Sequence, residues 1–275
     1  MRRKKVVIFF IAVFLALAGL SFSADVEQKI EGFTLNGYGD NGQKAWDVKG
    51  DTANMEGSQV ILTNVNANTY GEQKVNITAD KGKLNQVKGD MILENDVVIT
   101  NETGERLMTD SLHWNKDRDL VSTEDNVIIT NEGVTVTGTG MNAHPGLKNA
   151  QINKNVTVMV DTEPDQNSDK FVTITCDGPV EIDQAILKAT FKDNVVASQE
   201  GRILKADKME VHFSQSMKDI IRIECIGHVL IEQGENKTYA DKATYDAVTK
   251  KVTLSGRPKL IFMTEGENAF TALGN

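Results

Sequence analysis

Cysteine occurs only twice in the 275 residues, proline four times and tryptophan twice, and aromatic side chains make up 6% of the chain. Two cysteines with no CxxC spacing exclude a disulfide scaffold and the usual thiol-redox motif. Cys176 and Cys225 each fall on the apolar phase of an alternating segment. They read as small buried side chains, with a pair in an oxidising compartment as the alternative. Basic charge is also short. Of 30 Lys and Arg residues, four are Arg2, Arg3, Lys4 and Lys5, which leaves 26 against 39 acidic residues, a net −13, for the rest of the chain. Such a surface repels nucleic acid. Beyond the N-terminus, the periodic Leu, Ala and Glu stripes of long helices are missing. With 22 Gly and many Val, Ile, Thr and Asn residues, the composition favours short strands and turns, and the expected fold class is all-β. An apolar fraction of 40% excludes a disordered or collagen-like chain and permits one large or two modest domains.

Long hydrophobic runs are absent except at the start. After the four cations, Val6 to Leu20 is apolar, and no charge appears before Asp25. This approaches the ~20 residues that span a bilayer as a helix. It also fits a signal peptide, with Ser21-Phe22-Ser23 as a small-x-small cleavage site before Ala24. The Phe and Leu content and the mediocre cleavage site favour a retained anchor. In either reading the cations hold the N-terminus in the cytoplasm and the remainder is exported. No cysteine follows the run, so a lipoprotein anchor is excluded.

Catalytic and metal-binding patterns are missing too. His113, His144, His212 and His228 form no HxxxH, HExxH or His–Cys spacing, so no metal or cofactor site is expected. Gly138-Thr139-Gly140-Met141-Asn142-Ala143 fits a loose GxGxxA but opens no amphipathic helix, and the dinucleotide reading fails.

What is present is a repeat. Period-two alternation recurs along Val75, Ile77 and Ala79, along Val156, Val158 and Val160, along Val172, Ile174 and Cys176, and from Ile221 to Ile231, with Gly/Asn/Asp turn clusters between. These segments predict half-buried antiparallel strands. Glu94-Asn95-Asp96-Val97-Val98-Ile99-Thr100-Asn101 returns thirty positions later as Glu124-Asp125-Asn126-Val127-Ile128-Ile129-Thr130-Asn131. Lys154-Asn155-Val156, Asp193-Asn194-Val195 and Gly227-His228-Val229 continue it. A second marker, Ala79-Asp80-Lys81, Thr109-Asp110-Ser111, Ala206-Asp207-Lys208 and Ala240-Asp241-Lys242, keeps step. A two-strand unit of roughly 30–34 residues cannot bury its own apolar face, so the units must stack around a shared interior. The expected body is two facing sheets in some eight layers, roughly 40 Å long at ~4.8 Å per strand. The glycine-dense nonapeptide of a Ca²⁺ β-roll is absent, and the repeated aspartates read as residues that bond backbone amides where strands bend.

At this point the residues resemble a known family. Glu31-Gly32-Phe33-Thr34-Leu35, Tyr38-Gly39-Asp40-Asn41-Gly42-Gln43, Trp46-Asp47-Val48-Lys49-Gly50, Leu93-Glu94-Asn95-Asp96-Val97, Thr109-Asp110-Ser111-Leu112-His113-Trp114-Asn115 and Gly138-Thr139-Gly140-Met141 are similar to the LptC family of lipopolysaccharide-export proteins in order and spacing. From Phe171 to Phe262 the strands resemble LptA/OstA-type repeats, through Leu204-Lys205-Ala206-Asp207-Lys208 and Tyr239-Ala240-Asp241-Lys242-Ala243-Thr244-Tyr245. The organisation expected is an N-terminal anchor or uncleaved signal over 1–24, an LptC-like block over 25–160, a polar linker over 161–170, LptA/OstA-like repeats over 171–262 and a polar tail over 263–275.

The resemblance implies an elongated, twisted, V-shaped β-jellyroll with one N-terminal membrane helix, and no enzyme activity. Its apolar interior would take lipopolysaccharide from an inner-membrane ABC transporter and pass it towards the outer membrane. Trp46 and Trp114 then read as core residues or as aromatic walls of a lipid groove. Val48, Val75, Ile77, Val97, Ile99, Leu107, Val127, Ile129, Val156 and Val158 share the inward phase and form the expected groove. Local Lys205 and Lys208 are candidates for phosphate contact. The final strands, with Val252, Leu254, Leu260 and Phe262, are expected to pair edge to edge with an LptA-like protein or another copy. The competing classes are an exported structural or adhesive β-repeat protein and a β-helix carbohydrate-active enzyme.

Overall fold

The computed structural model describes residues 28–38, 42–70, 74–144, 149–161, 171–215 and 219–263. The expected anchor (1–24) and most of the expected linker and polar tail lie outside these residues. Seventeen strands and no helix are found among them: β1 (Gln28–Tyr38), β2 (Lys44–Glu56), β3 (Gln59–Tyr70), β4 (Lys74–Asn85), β5 (Met91–Asn101), β6 (Arg106–Asn115), β7 (Leu120–Asn131), β8 (Val134–His144), β9 (Asn149–Asp161), β10 (Phe171–Cys176), β11 (Val180–Asp183), β12 (Lys188–Gln199), β13 (Arg202–Phe213), β14 (Ile220–Gln233), β15 (Asn236–Asp246), β16 (Lys251–Ser255) and β17 (Lys259–Ile261). All pairings are antiparallel, and the chain runs as one meander. β10 and β11 together make the single rung between β9 and β12, and β16 and β17 together make the last rung, against β15.

Most strands bend near their middle, and the bends line up. The ladder skips at Thr78/Lys81, Glu94/Val97, Thr123/Asn126, Lys192/Val195, Lys205/Lys208 and Ile226/Val229. These are bulges, which sharpen local twist and turn a strand through a corner. Asn64, Asp96, Asn155, Asn194 and His228, each immediately before an inward valine, have φ of 49°, 49°, 54°, 53° and 44°. Asn and Asp tolerate this left-handed conformation better than other side chains, which explains the repeated Asn/Asp before Val. The seam divides most strands into two arms. Arm A holds the halves ending at turns such as 86–90 and 116–119; arm B holds the halves ending at turns such as 102–105, 132–133 and 200–201.

Each marker valine sits beside the seam opposite a small residue on the next strand: Val65–Ala79, Val97–Thr109, Val127–Gly138, Val156–Cys176, Val195–Ala206 and Val229–Ala240. These six valines are 0–2% exposed. Where two arms converge there is room for one branched side chain per pair, so valine and a small residue alternate. A Cβ on Gly138 would lie 2.4 Å from Ile152 Cγ2. The inward side chains of both arms form one continuous core from Phe33 to Ala243.

Two features differ from the sequence expectation. Each rung crosses both arms, so strands do not divide between two sheets, and all rungs stack in one direction. Fifteen rungs at ~4.8 Å give a body about 67 Å long rather than 40 Å. Two of the repeated aspartates take side chains of an adjacent strand rather than backbone amides: Asp207 faces His228 Nδ1 at 2.8 Å and Asp125 accepts the Ser111 hydroxyl at 2.6 Å. Near the bends, Asp177 likewise accepts the Asn194 amide at 2.5 Å and Asp51 the Asn64 amide.

Candidate functional site

The inward face is the one surface on which apolar residues from every rung converge. Within arm B, three inward rows run across the rungs. The row beside the seam is the valine series. The middle row reads Leu35, Val48, Ala67, Ile77, Ile99, Leu107, Ile129, Val136, Val158, Ile174, Ala197, Leu204 and Ile231 in unbroken register. Burial along it changes. From Val48 to Leu107 the row is 0–2% exposed, whereas Ile129, Val136, Ile174, Ala197, Leu204 and Ile231 are only half-buried. The interior is closed over β2–β6 and, apart from Val158 at 8%, opens along this row from β7 to β14.

All twelve residues expected in the groove face this interior. Val48, Val75, Ile77, Val97, Ile99, Leu107, Trp114, Val127, Val156 and Val158 are packed into the closed core, while Trp46 and Ile129 are half-exposed. The half-exposed strip that sequence reading did not single out is Val134, Val136, Val160, Ile174, Ala197, Leu204 and Ile231. These residues share the phase of the markers, and the signal that was visible, their alternation, does not report how far two arms stand apart.

The row nearest the arm B turns is partly polar. Asn101 is buried; its amide oxygen accepts Thr103 N at 3.0 Å and Glu105 N at 2.9 Å. Glu105 in turn accepts the Asn101 amide at 2.5 Å and the Asn131 amide at 3.0 Å. Burial raises the Glu105 carboxyl above its usual range, against the pull of the Asn101 hydrogen bond. Lys205 and Lys208 do not reach this face. They lie on the outward phase, 3.5 Å from Glu232 and 2.5 Å from Glu210; Lys205 alternates with inward Leu204, and the bulge that follows it shifts the alternation by one residue and turns Lys208 outward as well.

Cys176 and Cys225 are both free and buried on the inward phase. Burial pushes the Cys225 thiol up to about 11, so it stays protonated and unreactive at neutral pH. No group of three or more His, Cys, Asp or Glu side chains among the described residues is placed to hold a metal. No described helix is long and apolar enough to cross a membrane.

Among the described residues, nothing covers the apolar interior at the last rung of the sheet. β16 and β17 pair only with β15, and their inward residues Val252, Leu260 and the following Phe262 are 56%, 50% and 64% exposed, with Leu254 half-buried. At the other end β1 pairs only with β2 and leaves inward Ile30 42% exposed.

Comparison with known proteins agrees with this architecture. A family model described as lipopolysaccharide-assembly, LptC-related, matches residues 21–161, and one described as LptA/(LptD N-terminal domain) LPS transport protein matches residues 173–273. No curated protein matches the chain. The passage from the first match to the second falls at the β9–β10 pairing, inside the continuous sheet and core. Neither family is one of enzymes, and the chain belongs to the LptC-related lipopolysaccharide-assembly family, continued by an LptA/LptD N-terminal-type segment.

Proposed function

We propose that this protein carries lipopolysaccharide by its acyl chains along the inward trough, accepting it at the LptC-like end from an inner-membrane ABC transporter and passing it towards the outer membrane. The observation that carries this reading is the half-exposed apolar strip from Ile129 to Ile231, which continues a sealed core and ends in uncovered apolar side chains at β16–β17. Water is the barrier to such transport: each exposed CH₂ costs roughly 0.8 kcal/mol. A continuous apolar wall lowers that barrier without bond chemistry, so the protein needs no catalytic residue, and the energy comes from the transporter.

In this reading residues 1–24 anchor the chain in the inner membrane and the β body lies in the periplasm. The β16–β17 edge adds a strand of an LptA-like protein or of another copy, since exposed edges are the usual site of strand addition. Because the LptC-like and LptA-like segments already share the β9–β10 pairing, one joint of such a bridge is covalent here.

The test is copurification. The full chain extracted from envelopes is expected to carry lipopolysaccharide. Leu204→Asp and Ile231→Asp, at half-exposed inward positions, should lose it while keeping a β-rich circular dichroism spectrum, and the outward Leu230→Asp should keep it. Retention of lipid by both inward variants would contradict the proposal.

A further inference from the structure

Between the seam and the turns of arm B, from β3 to β15, only two inward positions carry ionisable side chains: Glu105, just before β6, and Arg202, the first residue of β13. They stand six rungs apart, about 29 Å at ~4.8 Å per rung. Their situations are opposite. Glu105 is half-buried and its carboxylate is already engaged by Asn101 and Asn131. Arg202 is exposed and forms no ion pair among the described residues. Glu200 and Glu235, on the hairpin turns beside it, do not pair with it, and Lys205 and Lys237 both pair with Glu232 on the opposite face.

The neighbours of Arg202 across the ladder are Gln199 and Gln233. One step deeper in the trough lie half-buried Leu204 and Ile231, within the open stretch of the strip. A lipid whose chains rest on Leu204 and Ile231 has its head group at the turns, level with Arg202. A guanidinium presents a planar fork of donors that matches two oxygens of one phosphate, and amide groups at its side add further donors.

We infer that Arg202, flanked by Gln199 and Gln233, is the anion contact of the trough and takes a phosphate of the transported lipid's head group. The inference rests on the trough holding acyl chains and adds to it the chemical class of head group and the residue that recognises it. The chain as a whole repels anions, so this contact is local: one free guanidinium among inward positions that are otherwise uncharged from β7 to β15.

The test uses the full chain and two probes, lipid A bearing both phosphates and the same lipid after removal of its phosphates. Wild type is expected to bind the phosphorylated lipid roughly tenfold more tightly, the scale of a charge-assisted hydrogen bond. R202Q should abolish that preference and leave the affinity for the dephosphorylated lipid unchanged, and K205Q, on the outward face, should change neither. A preference that survives in R202Q, or equal binding of both lipids by wild type, overturns the anion contact while leaving the trough standing. Failure of wild type to bind either lipid overturns the trough itself and the contact with it.

Discussion

At the scale of single residues, the most strongly determined side chain lies on the outward face, near the first edge. Asp47 is 1% exposed and accepts hydrogen bonds from Lys44 at 2.6 Å, Tyr70 at 2.7 Å and Asn68 at 2.9 Å. Burial alone would raise its carboxyl, but the three donors outweigh it and hold it at about 2. A carboxyl lowered in the folded state stabilises above its unfolded value, and that stabilisation is lost as pH falls from about 4 towards 2. Asp47→Asn is therefore expected to destabilise by about 1–2 kcal/mol near neutral pH, with the gap to wild type closing below pH 3 in a denaturant series. A gap independent of pH would assign the effect to shape rather than charge. Close by, a Cβ on Gly37 would lie 1.9 Å from Trp46 Nε1. Gly37→Ala should lift the Trp46 indole off β1 and shift tryptophan emission to longer wavelength, and an unchanged spectrum would mean that the ring has room to slide.

At the scale of elements, the bend explains both what the sequence made legible and what it hid. The markers Asn95-Asp96-Val97 and Asp193-Asn194-Val195 were readable as a repeat because a left-handed pair followed by an inward valine is a local demand, met in the same way by Gly227-His228-Val229. Their consequence was not readable: that a strand turns its corner there and contributes to both walls, so that the stack is about 67 Å long. The inward phase of the groove residues was legible because alternation is fixed by the pleat. Lys205 lies outward by the same alternation, next to inward Leu204, whereas the outward placement of Lys208 was hidden because the bulge before it breaks that alternation. Two outcomes follow. Asn95→Val, a β-branched residue forced to φ 63°, should cost about 1–2 kcal/mol. Val127→Asp, at a position 0% exposed, should prevent folding, whereas Ile128→Asp one residue away, at 40% exposure, should leave stability within about 1 kcal/mol. Equal effects of the latter pair would refute the phase assigned to β7.

At the scale of the whole molecule, the middle inward row is sealed over β2–β6, half-buried at most rungs from β7 to β14 and, among the described residues, uncovered at the last rung. An uncovered apolar edge is an aggregation hazard unless a partner completes it. Leu260→Pro removes an inward side chain and a backbone N–H from β17 alone, and it should sharply reduce crosslinking to a partner while circular dichroism stays unchanged; undiminished crosslinking would place the partner elsewhere. The central claim is that acyl chains travel on the inward face. Photocrosslinking in living cells measures it most directly, with a photoreactive side chain placed in turn at Ile174, Leu204 and Ile231 and at their outward neighbours Thr175, Lys205 and Leu230. The account predicts lipopolysaccharide adducts at the three inward positions and none at the three outward ones. Adducts on both faces alike, or on neither, would contradict it.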